Sequence, residues 1–329
     1  GISIICNDLY HPGDFKRHIY ESYSIGRRCI EEEKAMFFDK YQSKKDGVIR
    51  GYDIRSGKVK VLAGVIMIIC MIMVVICLFP AVWVFLASFK DIKEFTRNVT
   101  IIPEKFDWSR MEETWNAFKF TKYYMNSMIS VLGCTICAVV FNGLLAYGLS
   151  VLKPKGYQII NGLVMWSLLI PGTVSIVAVF RNINLVGLNK SFVPLWLAFG
   201  ANAFYVVLFK QFFEEIPKEL VEAAELDGCG VWRMFVTIML PLSKPIISVV
   251  AIFAITAAWS DFLLPYLVLD LKKYKTIPIV IQYLKGGYGA VDWGTMMAML
   301  VLAIIPIIIF YGICQKYIIE GVVAGAVKG

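Results

Sequence analysis

The hydrophobic and polar positions of this chain fall in long blocks, with no fine alternation. Six apolar runs, Val61–Phe89, Met125–Leu152, Gly156–Phe180, Ser191–Phe209, Ile246–Leu269 and Trp293–Gln315, are separated by polar segments. About 20 apolar residues suffice for a helix to cross the hydrocarbon core of a bilayer, and each run is of that order or longer. Among Asp, Glu, Lys and Arg, the runs contain a single residue, Asp261 in the fifth. The pattern predicts an all-α membrane protein with six transmembrane helices. It divides into a polar tail at 1–60, a membrane domain at 61–315 and a second tail at 316–329. Pro80, Pro171, Pro194, Pro265 and Pro306 lie within the runs and are expected to kink their helices, as bundles that gate tolerate.

One inter-span segment, 211–245, breaks the pattern with a polar, glycine-punctuated sequence. From Glu222 to Pro245 it reads EAAELDGCGVWRMFVTIMLPLSKP, which predicts two short helices meeting at a turn. Pro217 suits a first helical turn, where its missing N–H costs nothing. Gly228 can take the positive φ that ends a helix, and Gly230 loosens the corner. Pro241 and Pro245 are expected to stop the second helix and mark re-entry into an apolar run. Glu219, Glu222 and Glu225 recur at spacing three, giving an acidic stripe, with Leu220, Val221 and Ala224 towards the other side.

Composition agrees with a membrane protein: 58% of the 329 residues are hydrophobic and the mean hydropathy is +0.66, well above an ordinary soluble domain. The net charge of +8 lies in loops and the N-terminal tail, with no single aromatic-laced patch, so nucleic acid is not an expected partner. Of the eight cysteines, Cys70, Cys77, Cys134, Cys137 and Cys314 fall inside apolar runs and read as small hydrophobes. Cys134 and Cys137 form a C-x-x-C, but on a helix that spacing only shares a face. With His11 and His18 both in the N-terminal tail, no metal site is expected. Residues 1–35, which precede the first methionine Met36, are expected to lie upstream of the natural start or to form a variable tail. Gly51 to Val59 imitates a phosphate-binding loop but has five residues between its glycines, and Val59 where a Ser or Thr is needed. No nucleotide cofactor is therefore expected on this chain.

The polar segment resembles the EAA loop of binding-protein-dependent ABC transporter permeases, a MetI-like family. Glu222, Ala223, Ala224, Asp227, Gly228, Ile238, Leu240 and Pro241 stand at the positions of its pattern. A second resemblance, to the tail of carbohydrate-uptake permeases of the maltose type, is carried by Gln315, Tyr317, Gly321, Gly325, Ala326, Val327, Lys328 and Gly329. Trp259-Ser260-Asp261-Phe262 with Pro265, Asn126-Ser127, and Ile170-Pro171-Gly172 also match, so the resemblance covers roughly 61–329.

The resemblance implies a permease subunit forming half the pore of an ABC importer for a sugar or oligosaccharide, with a polyol or glycerophosphate as the alternative solute. Its implied partners are a second homologous permease, two ATPase subunits that hold ATP and magnesium, an extracellular or periplasmic solute-binding protein, and the lipid bilayer. Glu222, Ala223, Ala224, Asp227, Gly228 and Pro241 would form the cytoplasmic coupling loop, and Gly321, Gly325 and Lys328 a tail that reaches the ATPases. Such a chain is not an enzyme. A membrane-embedded enzyme would need clusters of intramembrane acids or histidines, and a plain scaffold would not need the acidic, glycine-hinged loop.

Parity places the loop, the C-terminus and the N-terminus on one side of the membrane. That side carries fifteen Lys and Arg against thirteen opposite, counting the tail from residue 40, which favours the cytoplasm; the resemblance implies the same side, in a bacterial plasma membrane. The opposite loop Lys90–Lys122 reads either as a docking surface for the solute-binding protein or as an interfacial aromatic belt. Asp261, with Trp259 and Asn126, is a candidate for the translocation path. A structural anchor near the end of span five is the other reading of Asp261.

Overall fold

A chain whose apolar runs must satisfy their own backbone groups folds as helices, and no strand occurs among the described residues. The computed structural model describes residues 57–96, 100–285 and 291–326. The N-terminal tail through residue 56, including most of the imitation phosphate loop, lies outside them.

The chain divides into two compact units, 1–78 and 79–329. In the first, the described residues are the bulk of helix α1 (Gly57–Ala87). Its apolar side chains from Val61 to Leu78 are exposed, with values such as 68% at Val61 and 60% at Ile76. A helix apolar all round its circumference is suited to lipid or a partner helix.

The second unit holds the rest. Helices α2 (Ile92–Thr96) and α3 (Ser109–Ala117) lead to α4 (Phe120–Tyr147), which ends in a π turn at Gly148–Leu152. Then follow α5 (Tyr157–Leu169), α6 (Gly172–Leu185), α7 (Val193–Gly200) and α8 (Ala203–Glu214). The polar segment supplies α9 (Lys218–Leu226) and α10 (Val231–Leu242). Helices α11 (Lys244–Ser260), α12 (Leu263–Val268), α13 (Ile277–Lys285) and α14 (Trp293–Ala326) complete it.

Three single helices and three bent pairs are long and apolar enough to cross a membrane, up to six spans in all. The third expected span is not one rod. Helices α5 and α6 meet at 118°, because Pro171 has no N–H to continue the ladder and takes φ −60°, ψ 127°. The other proline expectations divide. Pro194 opens α7 in its first turn, whereas the helices run on through Pro80 and Pro306. Helix α10 likewise continues through Pro241, so Pro241 does not stop it. A π turn at Phe235–Met239 precedes the proline and reorganises the hydrogen-bond ladder there. The fifth span is shorter than its apolar run, since α11 ends at Ser260 and the chain turns at Asp261 before α12. Helix α14 carries on through residue 326, so most of the expected C-terminal tail is helical backbone.

Helix α4 is the centre, packed against α7, α8 and α11. Asn142, fully buried, lets α4 hold the 42° bend between α7 and α8. Its amide donates to the Phe199 carbonyl (2.9 Å) and the Ala138 carbonyl (2.7 Å), and its oxygen accepts from the Asn202 N–H (3.0 Å). Backbone groups freed by the bend are thereby paired within the protein. Gly133 lies under the Trp196 indole, where any Cβ would collide. At the other end of α4, the Asn126 amide donates to the Lys275 carbonyl (2.9 Å), and the Ser127 hydroxyl accepts from the Ile277 N–H (3.0 Å). These two bonds seat the start of α13.

Helix α14 is tied at its proline. A proline at 306 cannot donate to the carbonyl four residues back, that of Leu302. The Tyr124 hydroxyl on α4 donates to that carbonyl, and the Trp259 indole on α11 donates to the next, Ala303, at 3.1 Å. Two helices thus converge where the ladder of a third is open.

Candidate functional site

The polar segment folds as a helical hairpin whose turn is fixed by one glycine. Helix α9 begins after Pro217, with Glu219 in its first turn where a carboxylate suits the positive end of the helix dipole. It ends at Gly228, φ +71°, the left-handed conformation that side chains with a Cβ avoid. The Gly228 N–H donates to the Glu225 carbonyl (3.0 Å), and the Cys229 N–H to the Ala224 carbonyl (2.9 Å). Together these are the two bonds of a Schellman stop. Gly230 has ordinary extended angles, φ −65° and ψ 153°, and starts α10.

The hairpin is joined to the membrane bundle on one side. Ala224, Met234, Phe235 and Met239 are buried. The Tyr147 ring, at the end of α4, packs on Phe235 (centroids 5.1 Å) and Phe213 (6.5 Å), and its hydroxyl donates to the Val231 carbonyl (3.1 Å). Helix α10 meets α11 at 79°, so it lies across the end of that span. Helix α10 is thus joined to α4 through Tyr147 and to α11 through Ser243, the buried residue at their corner, whose hydroxyl donates to the Met239 carbonyl at 2.5 Å.

The other side of the hairpin is open. Glu222, Ala223, Glu225, Asp227 and Gly228 are exposed, as are Leu226 (89%) and Trp232 (66%) at the turn. Between α9 and the π turn of α4 lies a cleft of about 530 Å³, lined by Lys153, Glu214, Lys218, Val221, Glu222 and Glu225 among others. Large apolar side chains flanked by carboxylates are the composition of a docking surface for a protein with basic and apolar groups.

Of the residues singled out in the sequence, the hairpin gathers Glu222, Ala223, Ala224, Asp227 and Gly228 at the turn, with Pro241 exposed further along α10. Gly321 and Gly325 lie in the helical backbone of α14, and Lys328 lies outside the described residues. Trp259, Asn126 and Asp261 are not gathered with the hairpin. The first two make the inter-helix bonds described above. Asp261 lies at the turn between α11 and α12, just before the first residues of α12. Cys134 and Cys137 are free thiols on α4, and no group of three His, Cys, Asp or Glu gathers among the described residues.

Residue-by-residue reading of the sequence missed Tyr147, which is 84 positions from its acceptor at Val231. It also passed over Leu226 and Trp232, whose signal was present as two large apolar residues inside an otherwise polar turn.

Residues 137–323 match the family of binding-protein-dependent transport system inner membrane components. The chain belongs to that family. It is similar to the arabinooligosaccharides transport system permease protein AraQ of Bacillus subtilis, at 31% identity over 77% of this chain and 91% of the relative. It is also similar to the trehalose/maltose transport system permease protein MalG of Thermococcus litoralis, at 30% identity over 77% and 92% of the two. In fold it matches a chain of a bacterial ABC transporter involved in the import of the acidic polysaccharide alginate, with a TM-score of 0.71 at 20% identity, over 80% of this chain and 98% of that one. This protein is thus a multi-pass permease subunit of an ABC importer, and the family to which it belongs is one of transport components, not enzymes.

Proposed function

We infer that this permease forms half of a translocation pore for a sugar or oligosaccharide, and that the α9–α10 hairpin couples it to separate ATPase subunits. The single observation that carries the coupling is the hairpin's two-sidedness. One side is built into the bundle through Tyr147, Phe235 and Met239, while the other presents Glu222, Glu225, Leu226 and Trp232. A short helix crossing a span at 79° acts as a lever, and an acidic rim steers a basic partner into register. ATP and magnesium belong to those subunits. On this reading the hairpin and both termini face the cytoplasm, a second homologous permease completes the pore, and a solute-binding protein delivers from outside. The sugar class is supported by relatives whose names specify arabinooligosaccharides, trehalose and maltose, and diacetylchitobiose.

The test is uptake by cells in which this transporter is the only entry route, offered labelled malto- and arabino-oligosaccharides beside sorbitol and glycerol 3-phosphate. Saturable entry of an oligosaccharide that stops on removal of the ATPase supports the reading. Entry of the polyol or the phosphate ester alone would overturn the solute class, and uptake independent of the ATPase would overturn the coupling.

A further inference from the structure

Outside the hairpin and the membrane spans, the described residues present a group of exposed large apolar side chains in the segment Ile101–Trp108. Ile101 is 62% exposed, Ile102 65%, Phe106 54% and Trp108 63%, interleaved with exposed Glu104, Lys105 and Asp107. The segment is held in place. The Glu104 N–H donates to the Glu94 carboxylate at 3.2 Å. Asp107 accepts from the Ser109 N–H (3.0 Å) and hydroxyl (2.6 Å), bonds that lower its pKa. Those bonds fix the backbone on both sides of Trp108, whose carbonyl accepts from the Met111 N–H at 3.1 Å. An exposed apolar cluster on a fixed backbone is not an incidental feature of a mobile loop.

Its depth is set by what it touches. The Trp108 ring meets Phe89 edge-on at 4.8 Å and Phe85 at 6.4 Å, and Phe106 lies 5.4 Å from Phe89. Phe85 belongs to the last turn of α1 and is 41% exposed. It continues the exposed apolar face that Phe79 and Val82 present just before it. Ile101–Trp108 therefore extends the exposed apolar face of α1 at the end of that helix, the depth at which a span meets the headgroups. The mixture is right for that depth: an indole and apolar side chains beside Glu, Lys and Asp, groups that can reach headgroups and water.

We propose that Ile101–Trp108 is an interfacial anchor, seated in the headgroup boundary of the bilayer at the C-terminal end of α1, with lipid and not the solute-binding protein as its partner. This goes beyond pore and coupling, and it stands or falls independently of both. Its use is mechanical. Arg110, on the helix that follows, donates to the Lys90 carbonyl and forms an ion pair with Asp91 at 3.6 Å, so a lipid-held segment also holds the exit of α1 in place.

The experiment is tryptophan quenching in the complete transporter, reconstituted in phosphatidylcholine vesicles whose acyl chains are brominated at carbons 6 and 7 or at carbons 11 and 12. The chain has eight tryptophans, so the signal of Trp108 is the difference between wild type and Trp108→Phe. The expected result is at least twofold stronger quenching of that difference by the shallow bromines than by the deep ones, with protection from aqueous acrylamide. A second variant, Ile102→Trp in the Trp108→Phe background, should regain the shallow quenching. Acrylamide quenching without bromine quenching, relieved by the solute-binding protein, would overturn the proposal in favour of a protein docking surface. Protection from both quenchers would overturn it too, because a partner subunit would then cover the site.

Discussion

Two glycines separated by a single residue, Gly228 and Gly230, allow the proposed role of the hairpin to be tested with an internal control. Beyond its own chain neighbours, neither has an atom within 4 Å of where a Cβ would stand, so only the local backbone decides what alanine costs at each. They differ in backbone: Gly228 has φ +71° and Gly230 φ −65°. The left-handed conformation costs an L-residue roughly 1–2 kcal/mol. Gly228→Ala should therefore strain the Schellman stop by about 1 kcal/mol, which lowers the population of the correctly turned hairpin about fivefold where unwinding relieves the strain. Gly230→Ala should leave it unchanged. Gly228→Asn should fall between, because Asn tolerates this region better than Ala. Gly228→Pro should abolish uptake, since proline cannot reach φ +71° and removes the N–H given to the Glu225 carbonyl. The assay is copurification of the ATPase with the membrane-inserted permease, read beside oligosaccharide uptake in the same cells. Equal losses for Gly228→Ala and Gly230→Ala would refute the reasoning, because φ would then not be what matters. Wild-type uptake in Gly228→Pro would refute the hairpin's role altogether.

Three further outcomes are expected. Glu222→Lys should insert normally but lose uptake, with recovery on charge reversal of its ATPase partner; wild-type uptake with the ATPase still bound would count against the acidic rim. Tyr124→Phe should destabilise the bundle by about 1 kcal/mol in denaturant unfolding, within the roughly 0.6–1.7 kcal/mol measured for hydrogen bonds in membranes. In a Pro306→Ala background, where the Leu302 carbonyl regains a helical donor, the loss should shrink, and an equal loss in both backgrounds would exclude the stated cause. If Asp261 serves to start α12, Asp261→Asn should keep assembly and uptake near normal while Asp261→Leu lowers complex yield; normal yield with lost uptake in Asp261→Asn would place the charge in transport instead.

The sequence by itself determined the helical class, the order of the apolar segments and the presence of the hairpin, because each follows from local chemistry. A long uncharged apolar run has one stable answer in lipid, and Gly228 after EAAELD marks a helix stop that few other residues permit. Tertiary structure alone decided how the polar groups are used. Asn142 is an unremarkable amide until α7 and α8 bend beside it, and Tyr147 acquires its role from a carbonyl 84 residues away. Pro306 lies within the continuous helix α14, with Tyr124 and Trp259 donating to carbonyls of its preceding turn. Pro171 broke its span at 118°. Beside Pro306, the donors that meet the open ladder come from distant parts of the chain. Inside a membrane, apolar pattern says which segments are buried in lipid, but the pairing of each stray donor and acceptor is settled only when the helices meet.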